Sequence, residues 1–170
     1  MRRFLCALAV VLTVAALGCS NRPCPELEAN KALVERFGEL INNADWDGLA
    51  ETMVEDFVRH SDATAGPPIT SRDAFIELQK AFLASMPDQR ITLKKVIAEG
   101  EYVAALATYS GTQTGPMGDF PITGNFAEVD YISMFRIEDG KVAELWVEWD
   151  NLAIFTQLGL FPPPAPGTKP

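Results

Sequence analysis

The spacing of apolar positions changes character partway along the chain, and the change separates a helical first half from an extended second half. Between residues 25 and 42, Leu33, Phe37, Leu40 and Ile41 recur at i, i+4, i+7 and i+8, which lines one side of a helix with hydrocarbon. Pro25 suits the first helical turn, where an N–H would have no partner anyway, and Asn42-Asn43 closes the element. A second helix is predicted over 46–56, opened by Asp45 and burying Leu49, Met53 and Val54, with Phe57 to His60 as a short extended exit. Gly66-Pro67-Pro68 then forces a loop. Thr70 and Asp73 read as a capping box for a third helix that carries Phe75, Leu78, Phe82 and Met86 on one side and stops at Pro87.

After Pro87 the period becomes two. Residues 90–98, 102–112, 126–137 and 141–149 read as four strands, with Glu99-Gly100 and Asp139-Gly140 as tight turns between neighbours, so the sheet is mostly antiparallel. The segment from Gly115 to Pro121 is longer than a close-packed hairpin needs and is expected to form part of a rim. Residues 151–158 form a short last helix ended by Gly159, and 161–170 is a proline-rich tail. Helices first and a meander of long strands afterwards give an α+β unit, in which a curved sheet is covered on one face by N-terminal helices. Along 126–137, Ala127, Val129, Tyr131, Phe135 and Ile137 face the core, which leaves Ile132 and Met134 exposed on the opposite face as a patch suited to a partner.

With 170 residues the chain fits one domain, and 48% apolar content gives it enough hydrocarbon for a real core. Its net charge of −9, without a basic cluster larger than Arg2-Arg3 or Lys94-Lys95, argues against a nucleic-acid partner. Arg2-Arg3 followed by an unbroken apolar run from Phe4 to Leu17 has the layout of an export signal, and the run is short for a membrane span. Ala16-Leu17-Gly18-Cys19 resembles a bacterial lipobox, so residues 1–19 are expected to be removed or acylated at Cys19, with ordinary cleavage at Ala16-x-Gly18 as the alternative. Residues 20–25 then tether a domain over 26–160 in the bacterial cell envelope, held to the membrane through the lipid if Cys19 is acylated. One histidine and no His/Cys cluster leave no metal site to expect.

Seven segments in order carry a family resemblance: Asn43-Ala44-Asp45-Trp46-Asp47 to Phe57-Val58-Arg59-His60, Met86-Pro87-Asp88, Tyr109 to Gly115, Ile122-Thr123-Gly124, Arg136 to Lys141, Glu144-Leu145-Trp146 to Asp150, and Gln157-Leu158-Gly159. Together they resemble the SnoaL-like polyketide cyclase, or ester cyclase, family over residues 30–160. The resemblance implies the cone-shaped roll of the nuclear transport factor two-like superfamily, with an apolar cavity between sheet and helices and pairing of copies through sheet faces, hence a homodimer. It implies cofactor-independent ring closure of a small, apolar, carbonyl-containing compound by intramolecular aldol chemistry, which needs a base for a carbon-bound proton and donors for the enolate. Carried over by position, the acid/base carboxylate falls on Asp150 and a cavity-lining histidine on His60. Gln113, Tyr131, Trp146 and Glu148 are the associated substrate-binding candidates. Gln113 and Leu145 stand where many relatives have histidines, and a non-catalytic, ligand-binding envelope lipoprotein is the alternative function.

One conflict is visible in the sequence itself. Strict alternation puts Ala143, Leu145, Val147 and Trp149 on one face of the last strand and Val142, Glu144, Trp146, Glu148 and Asp150 on the other. Composition buries the first face; the resemblance turns Trp146 and Asp150 inward, which requires a kink or bulge near the strand end. Asp150 is also well suited to cap the helix that follows.

Overall fold

The computed structural model describes residues 24–63 and 68–161. The export signal, Cys19, most of the tether, Gly66-Pro67 of the loop and the tail from 162 onward lie outside the described residues.

The first helix, α1 (Pro25–Asn42), buries Val34, Phe37, Leu40 and Ile41, the stripe its periodicity predicts with Val34 added. Its last turn is fixed to the sheet, because the Asn42 amide donates to the Ile91 carbonyl at 2.8 Å and accepts from the Ile91 N–H at 2.7 Å. The second helix, α2 (Trp46–Glu51), is capped by Asp45, which accepts from the Gly48 N–H. It is shorter than predicted: Met53–His60 is a strand, β1. Thr52 closes α2 by donating its hydroxyl to the Leu49 carbonyl, and pairing of β1 with a neighbouring strand outweighs the helical spacing of Met53 and Val54. The third helix, α3 (Arg72–Ser85), is capped by the hydroxyl of Ser71, one residue later than the predicted capping box.

The remaining strands are β2 (Arg90–Glu99), β3 (Tyr102–Thr112), β4 (Phe126–Glu138) and β5 (Lys141–Trp149), followed by helix α4 (Asn151–Gln157). They form one five-stranded sheet in the order β1-β5-β4-β3-β2, antiparallel except where β1 joins β5 in parallel. Both hairpin turns use left-handed residues, Gly100 after β2 and Asp139-Gly140 after β4. The inner face meets α1, α2 and α3 over a ring cluster in which Phe37 contacts Phe75 and Phe135, and Phe57 contacts Phe75, at centroid distances of 5.0–5.8 Å. Each such buried ring contributes about 2–3 kcal/mol of transfer free energy, enough to fix the helices against one face. On the other face Ile132 is 64% exposed and Met134 39% exposed, as the alternation of β4 predicts.

Candidate functional site

The core does not fill the whole roll. Beyond the phenylalanine cluster the inner sheet face, α3, α4 and the loop at Pro116 to Gly118 enclose a chamber of about 360 Å³. Its walls are mainly apolar: Phe75 and Phe82 from α3, Val129 and Phe135 from β4, Leu145, Val147 and Trp149 from β5, and Ile154 and Phe155 from α4. Alternation therefore decides β5. Leu145, Val147 and Trp149 face inward, and no bulge at the strand end turns Trp146 or Asp150 toward the chamber.

The predicted site residues separate accordingly. Asp150 is exposed, lies outside the chamber wall, and caps α4 by accepting from the Ala153 N–H at 2.9 Å. His60 and Trp146 are register partners across β1 and β5, and they stack on the outer face with centroids 4.7 Å apart and planes 9° apart. His60 Nε2 lies 2.9 Å from Glu144, which also accepts from Arg136 Nε at 2.7 Å. These two partners hold the Glu144 carboxyl below the usual range, the His60 hydrogen bond being the larger cause. Glu148 is exposed and accepts from the backbone N–H groups of Asp62 and Ala63, which fastens the segment after β1.

Gln113 is fully buried but is not a wall of the chamber. Its amide donates to the carbonyls of Gly115 and Pro121 and accepts from the N–H and hydroxyl of Thr123, so it ties together the two ends of the rim loop. All four hydrogen-bonding positions of the amide are thereby used, and none is left for a substrate. Tyr131 does line the chamber, and burial pushes its phenol up, so it stays a protonated donor.

Sequence reasoning missed the strongest polar group in the chamber. Arg59 is 4% exposed, lines the wall, and places its guanidinium carbon 5.5 Å from the centroid of the Trp149 ring. Burial lowers its pKa, and the nearby charge of Glu148 works in the opposite direction. The signal was available: in a strand whose neighbours Val58 and His60 face outward, Arg59 must face inward, and an inward arginine is rare enough to mark a site. Gln79, Ser85, Tyr109, Ser133 and Asn151 complete the polar part of the wall. Among the described residues no carboxylate and no imidazole lines the chamber, and none forms a cluster able to hold a metal ion.

Comparison with known proteins agrees with this architecture. The family model described as SnoaL-like polyketide cyclase matches residues 31–158. Aklanonic acid methyl ester cyclase DauD of Streptomyces sp. (strain C5) is 27% identical over 143 residues, 81% of this chain and 86% of that protein. Among solved structures, the SnoaL-like protein of Jannaschia sp. CCS1 superposes with a TM-score of 0.75 at 23% identity, covering 83% of this chain and 99% of that one. IdmH of Streptomyces antibioticus gives 0.68 at 27% identity, covering 76% and 98%.

Proposed function

Because this chain belongs to the SnoaL-like polyketide cyclase family, we propose that its chamber receives a small, largely apolar, polycarbonyl compound and promotes its ring closure, with Arg59 holding the enolate oxygen. The buried guanidinium of Arg59 over Trp149 is the observation that carries this reading. A cation in an apolar enclosure stabilises a developing oxyanion far more than it would in water, and the protonated phenol of Tyr131 supplies a second donor. In the closure itself a carbon next to a carbonyl gives up its proton to a solvent-derived base, since no carboxylate or imidazole lines the described wall, and the conjugate acid of that base is the source of the proton returned to the product. The resulting enolate carbon then bonds to a ketone carbon of the same molecule, and the new alkoxide takes a proton, so the product is an isomer of the substrate.

Asp150 and His60 have no part in this scheme, since both lie outside the chamber wall. A second reading, a non-catalytic carrier, is favoured by one observation, the absence of a carboxylate or imidazole among the described wall residues. The two readings part on turnover. Aklanonic acid methyl ester, the compound for which DauD is named, is a suitable probe with detection by liquid chromatography and mass spectrometry. Ring closure by the wild type, with kcat/KM about 10- to 100-fold lower in Arg59→Met as expected for loss of a hydrogen bond to a charged group, supports the cyclase. Binding without turnover favours the carrier, and neither binding nor turnover overturns both for this compound class. The exported, envelope-attached setting expected from residues 1–19 and the homodimer belong to the same proposal, tested by membrane fractionation and by sedimentation equilibrium.

A further inference from the structure

The chamber has a second polar end that the ring-closing scheme does not use. Ser85, the last residue of α3, is 4% exposed and lines the wall, yet its Oγ is buried without a hydrogen-bond partner among the described residues. A buried hydroxyl without a partner is costly to the fold and is uncommon without a reason. Its position is nonetheless rigidly set. The Ser85 carbonyl accepts from the N–H groups of Thr114 and Gly115 at 3.1 and 3.0 Å, and Gly115 approaches so closely that a Cβ there would lie 1.9 Å from the Ala84 carbonyl oxygen. The rim loop that Gln113 ties together is thus the clamp that fixes Ser85.

This end is remote from Arg59. Tyr109, which packs against the buried cluster of Ala127, Leu158 and Met86, the residue next to Ser85, lies two strands and two residues away from Trp149 through the register Trp149, Tyr131, Ala107. Spacings of about 4.8 Å per strand and 3.3 Å per residue separate their backbones by about 12 Å. The Tyr109 hydroxyl already donates to Gln89 Oε1 at 2.9 Å, and the unpartnered Gln89 Nε2 belongs to a residue that is not part of the wall, which leaves Ser85 Oγ as the buried, uncommitted donor among the described wall residues.

We propose that Ser85 is a specificity-determining anchor for a neutral hydroxyl or carbonyl oxygen at the end of the ligand opposite the oxyanion, so that the chamber selects elongated compounds polar at both ends and apolar between. The inference rests on the chamber being the ligand site. It excludes purely apolar ligands and those carrying a single polar end as preferred occupants. The same hydroxyl that weakens the empty protein is the group that the right ligand satisfies.

Two probes test it by titration calorimetry: 2-naphthoate, with one polar end, and 6-hydroxy-2-naphthoate, with two. Wild type is expected to bind the hydroxylated probe about tenfold more tightly, as one well-placed buried hydrogen bond gives. In Ser85→Ala the ratio between the probes is expected to collapse to near one, while the melting temperature of the ligand-free protein rises by a few degrees. A serine whose hydroxyl is held by an internal partner would lower that temperature. Equal binding of the two probes by wild type, a preserved preference in Ser85→Ala, or a lowered melting temperature overturns the anchor while leaving the chamber reading in place. Failure of wild type to bind either probe overturns the chamber reading and the anchor together.

Discussion

Replacing Gln113 separates a structural role from a substrate-binding one. The side chain is 0% exposed and makes four hydrogen bonds of 2.8–3.2 Å, two as donor and two as acceptor. At about 1 kcal/mol net for each such bond, their complete loss removes about 4 kcal/mol. Pro121 is exposed and Thr123 partly so, and both recover water when the amide is gone, which brings the expected loss to about 3 kcal/mol. Gln113→Leu nearly preserves volume and isolates the polar contribution; Gln113→Ala adds a cavity term and is expected to be worse. The assay is urea unfolding followed by tryptophan fluorescence, with the midpoint falling at constant slope. Hydrogen exchange at the Thr123 and Gly124 amides is expected to accelerate in parallel, since the first donates to the Gln113 side chain and the second to its carbonyl. A loss under about 1 kcal/mol in Gln113→Leu, combined with weakened binding of the naphthoate probes, would refute the reasoning and return Gln113 to the ligand.

The outer cluster gives a pH signature. The Glu144 carboxyl is held low by His60 and Arg136, so its contribution is present above the ordinary carboxylate range and is lost as pH falls through its lowered folded value. Glu144→Gln is therefore expected to melt below wild type at pH 7, with the gap closing under acid conditions in a pH series of thermal melts; a gap independent of pH contradicts the pairing. Gly115→Ala forces a Cβ into the Ala84 carbonyl, so the rim loop must lift from α3. The expected result is a loss of about 2–3 kcal/mol and faster exchange of the Thr114 and Gly115 amides; wild-type stability would mean that the close approach is not maintained.

The sheet was legible from the sequence because period-two alternation is a local signal that antiparallel pairing reinforces. All four predicted strands formed, and the inward set of β4 from Ala127 to Ile137 came out as alternation assigns it. What failed was the strand whose pairing is not local. Met53 to Asp56 carry helical spacing, and only β5, some ninety residues further on, makes them a strand. The same non-locality hid Arg59, whose inward direction follows from β1 being a strand over its full length. Asp150 and Trp146 failed differently. Similarity of motif placed them in the cavity, whereas the parity of β5, readable from Ala143, Leu145, Val147 and Trp149, had already placed them outside.

Parity also explains how one strand pair serves two chemically unlike faces. Across the β1–β5 register, Arg59 sits opposite Leu145 and faces the chamber, while its neighbour His60 sits opposite Trp146 and faces away. A slip of β1 by one residue would bring His60 inside and expel Arg59, while Trp146 would stay outside because β4 holds β5. The outer stack and the His60–Glu144 hydrogen bond depend on the observed β1–β5 register, and Arg136, paired with Glu144 across β4 and β5, orients the carboxylate for it. Their small surface energies therefore act less as stabilisation than as a lock that keeps the cation facing inward. Glu144→Gln combined with His60→Ala is accordingly expected to weaken binding of 2-naphthoate even though neither residue touches the chamber. Unchanged affinity for that probe would show that the parallel pairing alone sets the register.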